Sequence, residues 1–257
     1  MDVVALLPPP LLSHLRIVLA HGHSVAEATD WPAAEAMLRQ RSVDALVVDP
    51  RPEPGASVMW LTRLRERHPG VPTVVYTVLT PGTLRAMVEL ARHGVEHVVL
   101  HRFDDDPRRF LALLEQLPGY ALSERLLAEI AIPLGRLPSA TARAVERMVR
   151  LPHRFTGVED LAAASGVTVR QLYRQLESAG IGSPRWLVQG ARVLRAFAYL
   201  QDRGCSLGDA ARKLGYSQRR VLSRQMLEVA GRTPAEARRS LAPELMVELL
   251  SEKLRRA

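Results

Sequence analysis

The stretch Val158-Glu159-Asp160-Leu161-Ala162-Ala163-Ala164-Ser165-Gly166-Val167-Thr168-Val169-Arg170-Gln171-Leu172-Tyr173-Arg174-Gln175-Leu176 decides the fold of the second half of this chain. It reads as a short helix, a tight turn at Gly166 and a second helix that Thr168 is suited to cap. On that second helix Val169, Leu172 and Leu176 share one face at three- and four-residue spacing, while Arg170, Tyr173, Arg174 and Glu177 share the other. The apolar face is expected to pack and the basic face to remain free. The pattern returns in Leu207-Gly208-Asp209-Ala210-Ala211-Arg212-Lys213-Leu214-Gly215-Tyr216-Ser217-Gln218-Arg219-Arg220-Val221-Leu222-Ser223-Arg224-Gln225-Met226. Gly215 ends the first helix of this copy, and Ser217 is the expected cap of the second. Leu222, Met226 and Val229 face inward, leaving Arg219, Arg220, Ser223 and Arg224 outward. Between the copies, residues 184–200 read as one helix with proline in its first turn, roughly 25 Å of rigid spacer. Two basic helices held that far apart fit successive major grooves, roughly 34 Å apart on one face of B-DNA.

At these residues the chain resembles the AraC/XylS family of transcriptional regulators. The resemblance runs from Thr141 to Arg239. It rests on Asp160-Leu161-Ala162, Leu172-Tyr173-Arg174, Arg192 with Ala196 and Leu200, Ala210-Ala211 with Leu214-Gly215-Tyr216, and Gly231-Arg232-Thr233-Pro234 followed by Arg238. Leu176, Leu222 and Met226 stand where the family usually packs aromatic residues, a swap that approximately preserves apolar volume. The resemblance implies base-reading positions at Arg170, Tyr173 and Arg174 in the first copy and at Arg219, Arg220, Ser223 and Arg224 in the second. A guanidinium fork matches guanine O6 and N7 or a phosphate, so the chemistry agrees. It further implies a bacterial, sequence-specific transcription factor with duplex DNA and RNA polymerase as partners. Arg192, within the spacer, is equally suited to a structural ion pair.

Charge is distributed to match. Residues 1–118 hold 12 arginines and 14 acids, and residues 119–257 hold 23 basic and 13 acidic residues, so the whole net charge of +8 arises in the second half. That is the footprint of a nucleic-acid-binding domain joined to a regulatory one. No run approaches the roughly 20 apolar residues of a membrane span. The start of the chain lacks the basic region of a secretory signal, and the single cysteine, Cys205, forms no internal disulfide. A cytoplasmic protein is expected, with Cys205 a small residue ahead of a Ser206 helix cap.

The first half alternates short valine-rich runs (3–7, 25–28, 45–48, 73–77 and 97–100) with helical ones (11–20, 31–41, 59–68, 82–93 and 107–117). Five strands alternating with five helices predict a doubly wound parallel sheet covered on both faces. That order resembles the receiver domain of response regulators, a flavodoxin-like fold. The resemblance places a phosphate-accepting aspartate at Asp49 and the associated hydroxyl at Thr77. The acidic pair that would hold magnesium is missing, because Pro8-Pro9-Pro10 follow the first strand, and His101 stands at the lysine position. Magnesium neutralises charge on the transferring phosphoryl group, so its lost ligands predict a phosphorylation-independent pseudo-receiver with Asp49 a vestigial acceptor. Dimerisation or partner contact through one sheet edge or helical face is its expected task. A phosphorylation-dependent regulator using Asp49 is the alternative.

Other chemistry is sparse. His93, His97 and His101 recur every fourth residue, but a strand interrupts any helix that would align them as metal ligands. His21-Gly22-His23 reads as a polar turn, and Asp104-Asp105-Asp106 before Pro107 as a helix start. No catalytic triad and no phosphate loop is visible, so neither an enzyme nor a cofactor is expected. The resulting division is a receiver-like domain over 1–118, a proline-punctuated linker over 119–140 with a short helix left open at Ser123 to Ile130, a double helix-turn-helix domain over 141–240 and a helical tail over 241–257. In the tail, Leu245, Leu249 and Leu250 form the expected apolar stripe.

Overall fold

The computed structural model describes residues 1–20, 23–40, 43–50, 54–68, 70–92, 95, 97–201 and 205–256. The chain divides into two compact units, residues 1–120 and 121–257. His21, Gly22 and His93, part of the histidine patterns above, lie outside the described residues.

In the first unit β1 (Asp2–Leu6), α1 (Pro9–Val18), β2 (Ser24–Glu27), α2 (Trp31–Gln40), β3 (Ala45–Val48), α3 (Pro54–Arg67), β4 (Thr73–Thr77), α4 (Pro81–Arg92), β5 (His97–Leu100) and α5 (Pro107–Glu115) follow in order. The strands form one parallel sheet in the order β2-β1-β3-β4-β5, the flavodoxin-like arrangement expected from the alternation. Because side chains alternate across a strand, the sheet feeds two cores. Val3, Ala5, Val47, Val74, Tyr76 and Val99 pack with Leu15 of α1 and Phe110 of α5. Val4, Leu46, Val48 and Val75 pack with Leu38 of α2, Leu61 of α3 and Leu90 of α4 on the other face. Asp106 caps α5 by accepting from the backbone N–H of Arg108 and Arg109, each at 3.2 Å, so the acidic run is a helix start.

The second unit is helical: α6 (Pro118–Glu129), α7 (Ala131–Gly135), α8 (Ser139–Arg150), a 3-10 turn (Pro152–Arg154), α9 (Val158–Ser165), α10 (Val169–Ala179), α11 (Pro184–Gln201), α12 (Leu207–Lys213), α13 (Arg219–Ala230), α14 (Pro234–Ser240) and α15 (Pro243–Arg256). The expected linker over 119–140 is instead mostly helix. Leu122, Leu126, Leu127, Ile130, Leu134 and Leu137 enter the same core as the two helix-turn-helix copies. The tail packs on its own unit through Met246, Val247, Leu250 and Leu254, whereas Leu245 is exposed and Leu249 only half-buried. Gly190 of α11 lets α15 come close, since a β-carbon there would meet Leu250 Cδ1. No helix among the described residues is long and apolar enough to cross a membrane.

Among the buried carboxylates of the first unit, Glu35 is met by arginines. The Glu35 carboxylate accepts from Arg39 at 2.7 Å and Arg67 at 2.8 Å, with Arg63 at 3.8 Å. The hydrogen bonds from Arg67 and Arg39 lower its pKa from 4.5 to about 2, against the opposing effect of burial. A depressed carboxylate stabilises the fold above its unfolded pKa and loses that contribution as pH falls through the folded one. The three arginines are about half exposed, so solvent screening limits the contribution to about 2 kcal/mol. Glu35→Gln is expected to lose about that much stability in urea unfolding at pH 7, and its deficit should shrink as pH falls from about 4.5 toward 2. An equal deficit at both ends of that range would contradict the assignment.

Candidate nucleic-acid interface

Each copy of the motif closes as its sequence requires. Gly166 and Gly215 adopt φ of +66° and +71°, a left-handed conformation that a β-carbon resists, and so turn the chain between helices. In the first copy the Asp160 carboxylate accepts from the Thr156 backbone N–H at 2.6 Å, its hydroxyl at 2.8 Å and the Gly157 N–H at 3.3 Å. These bonds hold its pKa below the usual carboxylate range, with burial opposing and the Arg192 charge adding. Thr168 accepts from the Gln171 N–H at 3.2 Å while Gln171 Oε1 accepts from the Thr168 N–H at 2.9 Å, a complete capping box. In the second copy Ser206 and Asp209 make the same box at the start of α12, and Cys205 is fully buried just before it.

The start of α13 differs from the expectation. Its N-cap is Gln218, which makes no side-chain cap bond, and Ser217 lies one residue outside with an exposed hydroxyl. The helix begins one residue too late for Ser217 to reach its first N–H groups.

Leu172 and Leu176 of α10, and Leu222, Met226 and Val229 of α13, are fully buried, so the apolar residues replacing aromatic ones do fill the core. Val169 departs from its expected inward place and is exposed in the first turn of α10, where Ala179 instead extends the buried stripe. On the outer faces Arg170, Tyr173 and Arg174 of α10, and Arg219, Arg220 and Arg224 of α13, are exposed, and Ser223 is half-buried. The guanidinium groups of Arg170, Arg174, Arg219 and Arg220 make no ion pair or hydrogen bond with any described residue. Arg224 has one loose partner on its own helix, Glu228 at 3.7 Å. A row of unused cations on the outward face of each second helix is suited to a polyanion.

The spacing of the two copies is fixed by α11, whose residues 187–200 are all buried. Arg192, 6% exposed, donates from Nη1 to the Phe155 carbonyl at 3.1 Å and from Nη2 to the Leu214 carbonyl at 2.8 Å. Phe155 leads into the first copy and Leu214 closes α12 of the second. The same guanidinium lies 4.2 Å from the centre of the Tyr216 ring, a cation–π contact. Arg192 therefore ties both modules to the helix between them. Its role is structural, but its partners are two carbonyls and an aromatic ring instead of the ion pair that the sequence allowed.

At the carboxyl end of the sheet in the first unit, Asp49 is buried just after β3 and accepts from Thr77 Oγ1 at 2.7 Å. His101 faces a different partner: its Nδ1 lies 2.5 Å from Asp105 Oδ2. Tyr76 donates to the same carboxylate oxygen at 2.8 Å, and His14 Nδ1 lies 3.0 Å from Tyr76 Oη. Burial and the Asp105 charge push the Tyr76 phenol far up. Burial opposes the Asp105 charge, but bonds from Tyr76, His101 and the Arg102 N–H outweigh it and hold the carboxyl low. Arg102 takes φ +68° in the turn that delivers this N–H, an uncommon conformation for a side chain with a β-carbon. This cluster has no signature in local spacing, because 62 residues separate His14 from Tyr76. Among the described residues no group of three or more His, Cys, Asp or Glu is arranged to hold a metal ion.

If Arg192 carries the link between the modules, Arg192→Ala should cost about 3 kcal/mol in urea unfolding, because it strands two buried carbonyls. Arg192→Lys, which keeps the charge but not the two-pronged fork, should restore under half of that. Stability within about 0.5 kcal/mol of the parent for Arg192→Ala would contradict the link.

Comparison with known proteins adds one informative match. The sequence matches no curated protein. Among solved structures, a response regulator from Thermotoga maritima is similar at 19% identity over 45% of this chain and 95% of its own, with a TM-score of 0.40. Full-length FixJ from B. japonicum is similar at 20% identity over 83% of this chain and 97% of its own, also at 0.40. Likenesses at this level add nothing to the architecture that the strand order itself establishes. Residues 161–240 match the family model of a helix-turn-helix domain. Together with the two modules and their outward arginines, that match makes residues 161–240 a helix-turn-helix domain, a DNA-binding domain that serves transcription regulation.

Proposed function

We propose that the protein is a sequence-specific transcription regulator that reads two successive major grooves, α10 in one and α13 in the next. The observation that carries this reading is the pair of outward faces bearing unpartnered arginines, each on the second helix of its own module. Arg170, Tyr173 and Arg174 serve the first groove, and Arg219, Arg220, Ser223 and Arg224 the second. The 18-residue α11 is about 27 Å long, of the order of one turn of B-DNA. RNA polymerase is the partner that a DNA-bound regulator of this class addresses. Arg174→Ala and Arg224→Ala, both at exposed positions, should each cost about 1–3 kcal/mol on a specific duplex and relax preference at the bases they face. Unchanged affinity and preference in both folded variants would remove the assignment.

The first unit regulates this reader without phosphoryl transfer. Two observations support that reading: Leu7 and Pro8 follow β1 where magnesium ligands are needed, and His101 is committed to Asp105. The Asp49–Thr77 hydrogen bond favours the rival, an acceptor aspartate with its hydroxyl already in place. Self-association is the task assigned to this unit, since Leu79, Leu84 and Val88 beside and on α4, and Phe103 after the edge strand β5, are all exposed. A small phosphodonor with magnesium should leave the intact mass unchanged, and sedimentation should show a concentration-dependent dimer. An added phosphate on Asp49 would establish the rival, and a monomer at all concentrations, free and on DNA, would refute the dimer.

A further inference from the structure

A cleft of about 360 Å3 separates the two modules within the second unit. Thr156 lines it on the side of the first module, Arg185 and Gln189 line it from α11, and Tyr216, Ser217 and Gln225 line it on the side of the second. It is not part of either outward recognition face. Gln225 lies on the flank of α13 beside its buried stripe.

Three polar groups on its walls are unused. The exposed Arg185 guanidinium and the Ser217 hydroxyl have no partner among the described residues. Gln225 Oε1 accepts from Tyr216 Oη at 2.6 Å, which leaves the Gln225 amide nitrogen as the free end. All three are hydrogen-bond donors, and one is a cation. The neighbouring acids are mostly engaged: Asp160 accepts the three bonds given above, and Glu228 accepts from Gln189 Nε2 at 2.9 Å. Glu159, at the Gly157 end, is exposed to solvent. Arg192 adds a second cation in the cleft wall, already bonded to two carbonyls. Unused donors around a cationic recess recognise an oxyanion, with a guanidinium fork as the strongest partner for phosphate.

We propose that this cleft seats a backbone phosphate of the duplex where the strand passes from one major groove to the next, with Arg185 as its cationic contact and Ser217 and Gln225 as neutral donors. The inference rests on the two-groove reading, which places DNA across both modules. It assigns the cleft a task separate from base reading. A phosphate held between the modules fixes the register of both recognition helices without reading sequence.

The test uses the full chain and a duplex carrying the site recovered by selection from a random pool. Arg185→Ala should weaken binding about tenfold on that duplex and on a scrambled one alike. It should also lower the slope of log affinity against log salt by about one. A neutral methylphosphonate at one phosphate between the two recognised blocks should weaken the parent similarly and leave Arg185→Ala unchanged. Ser217→Ala should show a smaller loss at the same phosphate. Parental affinity and salt slope for Arg185→Ala, with the selected motif intact, would overturn the phosphate seat and leave the two-groove reading standing. Inorganic phosphate exchanged for chloride at constant ionic strength distinguishes the source of the anion. Competition that Arg185→Ala abolishes, with no response to any methylphosphonate, would overturn the DNA phosphate in favour of a free one. Failure of the parent to select any motif would overturn the two-groove reading and the inference together.

Discussion

A single guanidinium holds the second unit to its purpose. Arg192 reaches from a helix buried on every side to carbonyls of both modules, so the two recognition helices cannot shift independently without breaking a charge-assisted bond in the interior. A buried charge is costly unless it is compensated, and here the two carbonyls and the Tyr216 ring offset that cost while Nε is left without a partner among the described residues. The helix around it is otherwise apolar enough to serve as the core, with Leu187, Val193 and Phe197 fully buried. The proposed two-groove reading needs the separation of the modules fixed, and α11 is buried along residues 187–200 with polar ties from Arg192 to the Phe155 and Leu214 carbonyls and from Arg195 to the Arg150 carbonyl.

The first unit follows a simpler rule. A parallel sheet buried on both faces lets every second residue of β1, β3 and β4 join a different core, which is why these strands read as continuous valine and alanine rather than as alternating patterns. Its carboxyl end keeps Asp49 and Thr77 hydrogen-bonded but turns His101 toward Asp105 and Tyr76. A local hydrogen-bond cluster of His14, Tyr76, His101 and Asp105 lies beside that pair.

Local signals were legible in the sequence and long-range ones were not. The caps at Thr168, Ser206 and Asp106, the turns at Gly166 and Gly215 and all five strands depend on neighbouring residues, and each forms within a residue or so of its expected place. In the 119–140 stretch the helix left open at Ser123 to Ile130 forms, while the prolines, which suggest breaks, hide the extent of helix around it. Pro118 instead opens α6, Pro133 lies within α7 and Pro138 caps α8, positions where a missing N–H costs little. In α15 leucine occupies adjacent stripes, and only packing against α11 and α13 selects Met246, Leu250 and Leu254 over Leu245. Ser217 lost its expected cap to a one-residue shift in where α13 begins. Neither the two-carbonyl reach of Arg192 nor the cleft beside it has any signature in local spacing.

The central claim is that one chain reads two grooves with a fixed separation. It is tested most directly by selecting bound sequences from a random duplex pool and then inserting about five base pairs, half a helical turn, between the recovered blocks. The account predicts two blocks about one turn apart and near-complete loss of specific binding on insertion, because the buried spacer cannot rotate one module around the duplex. A single block, or binding that tolerates the half-turn insertion, would contradict it.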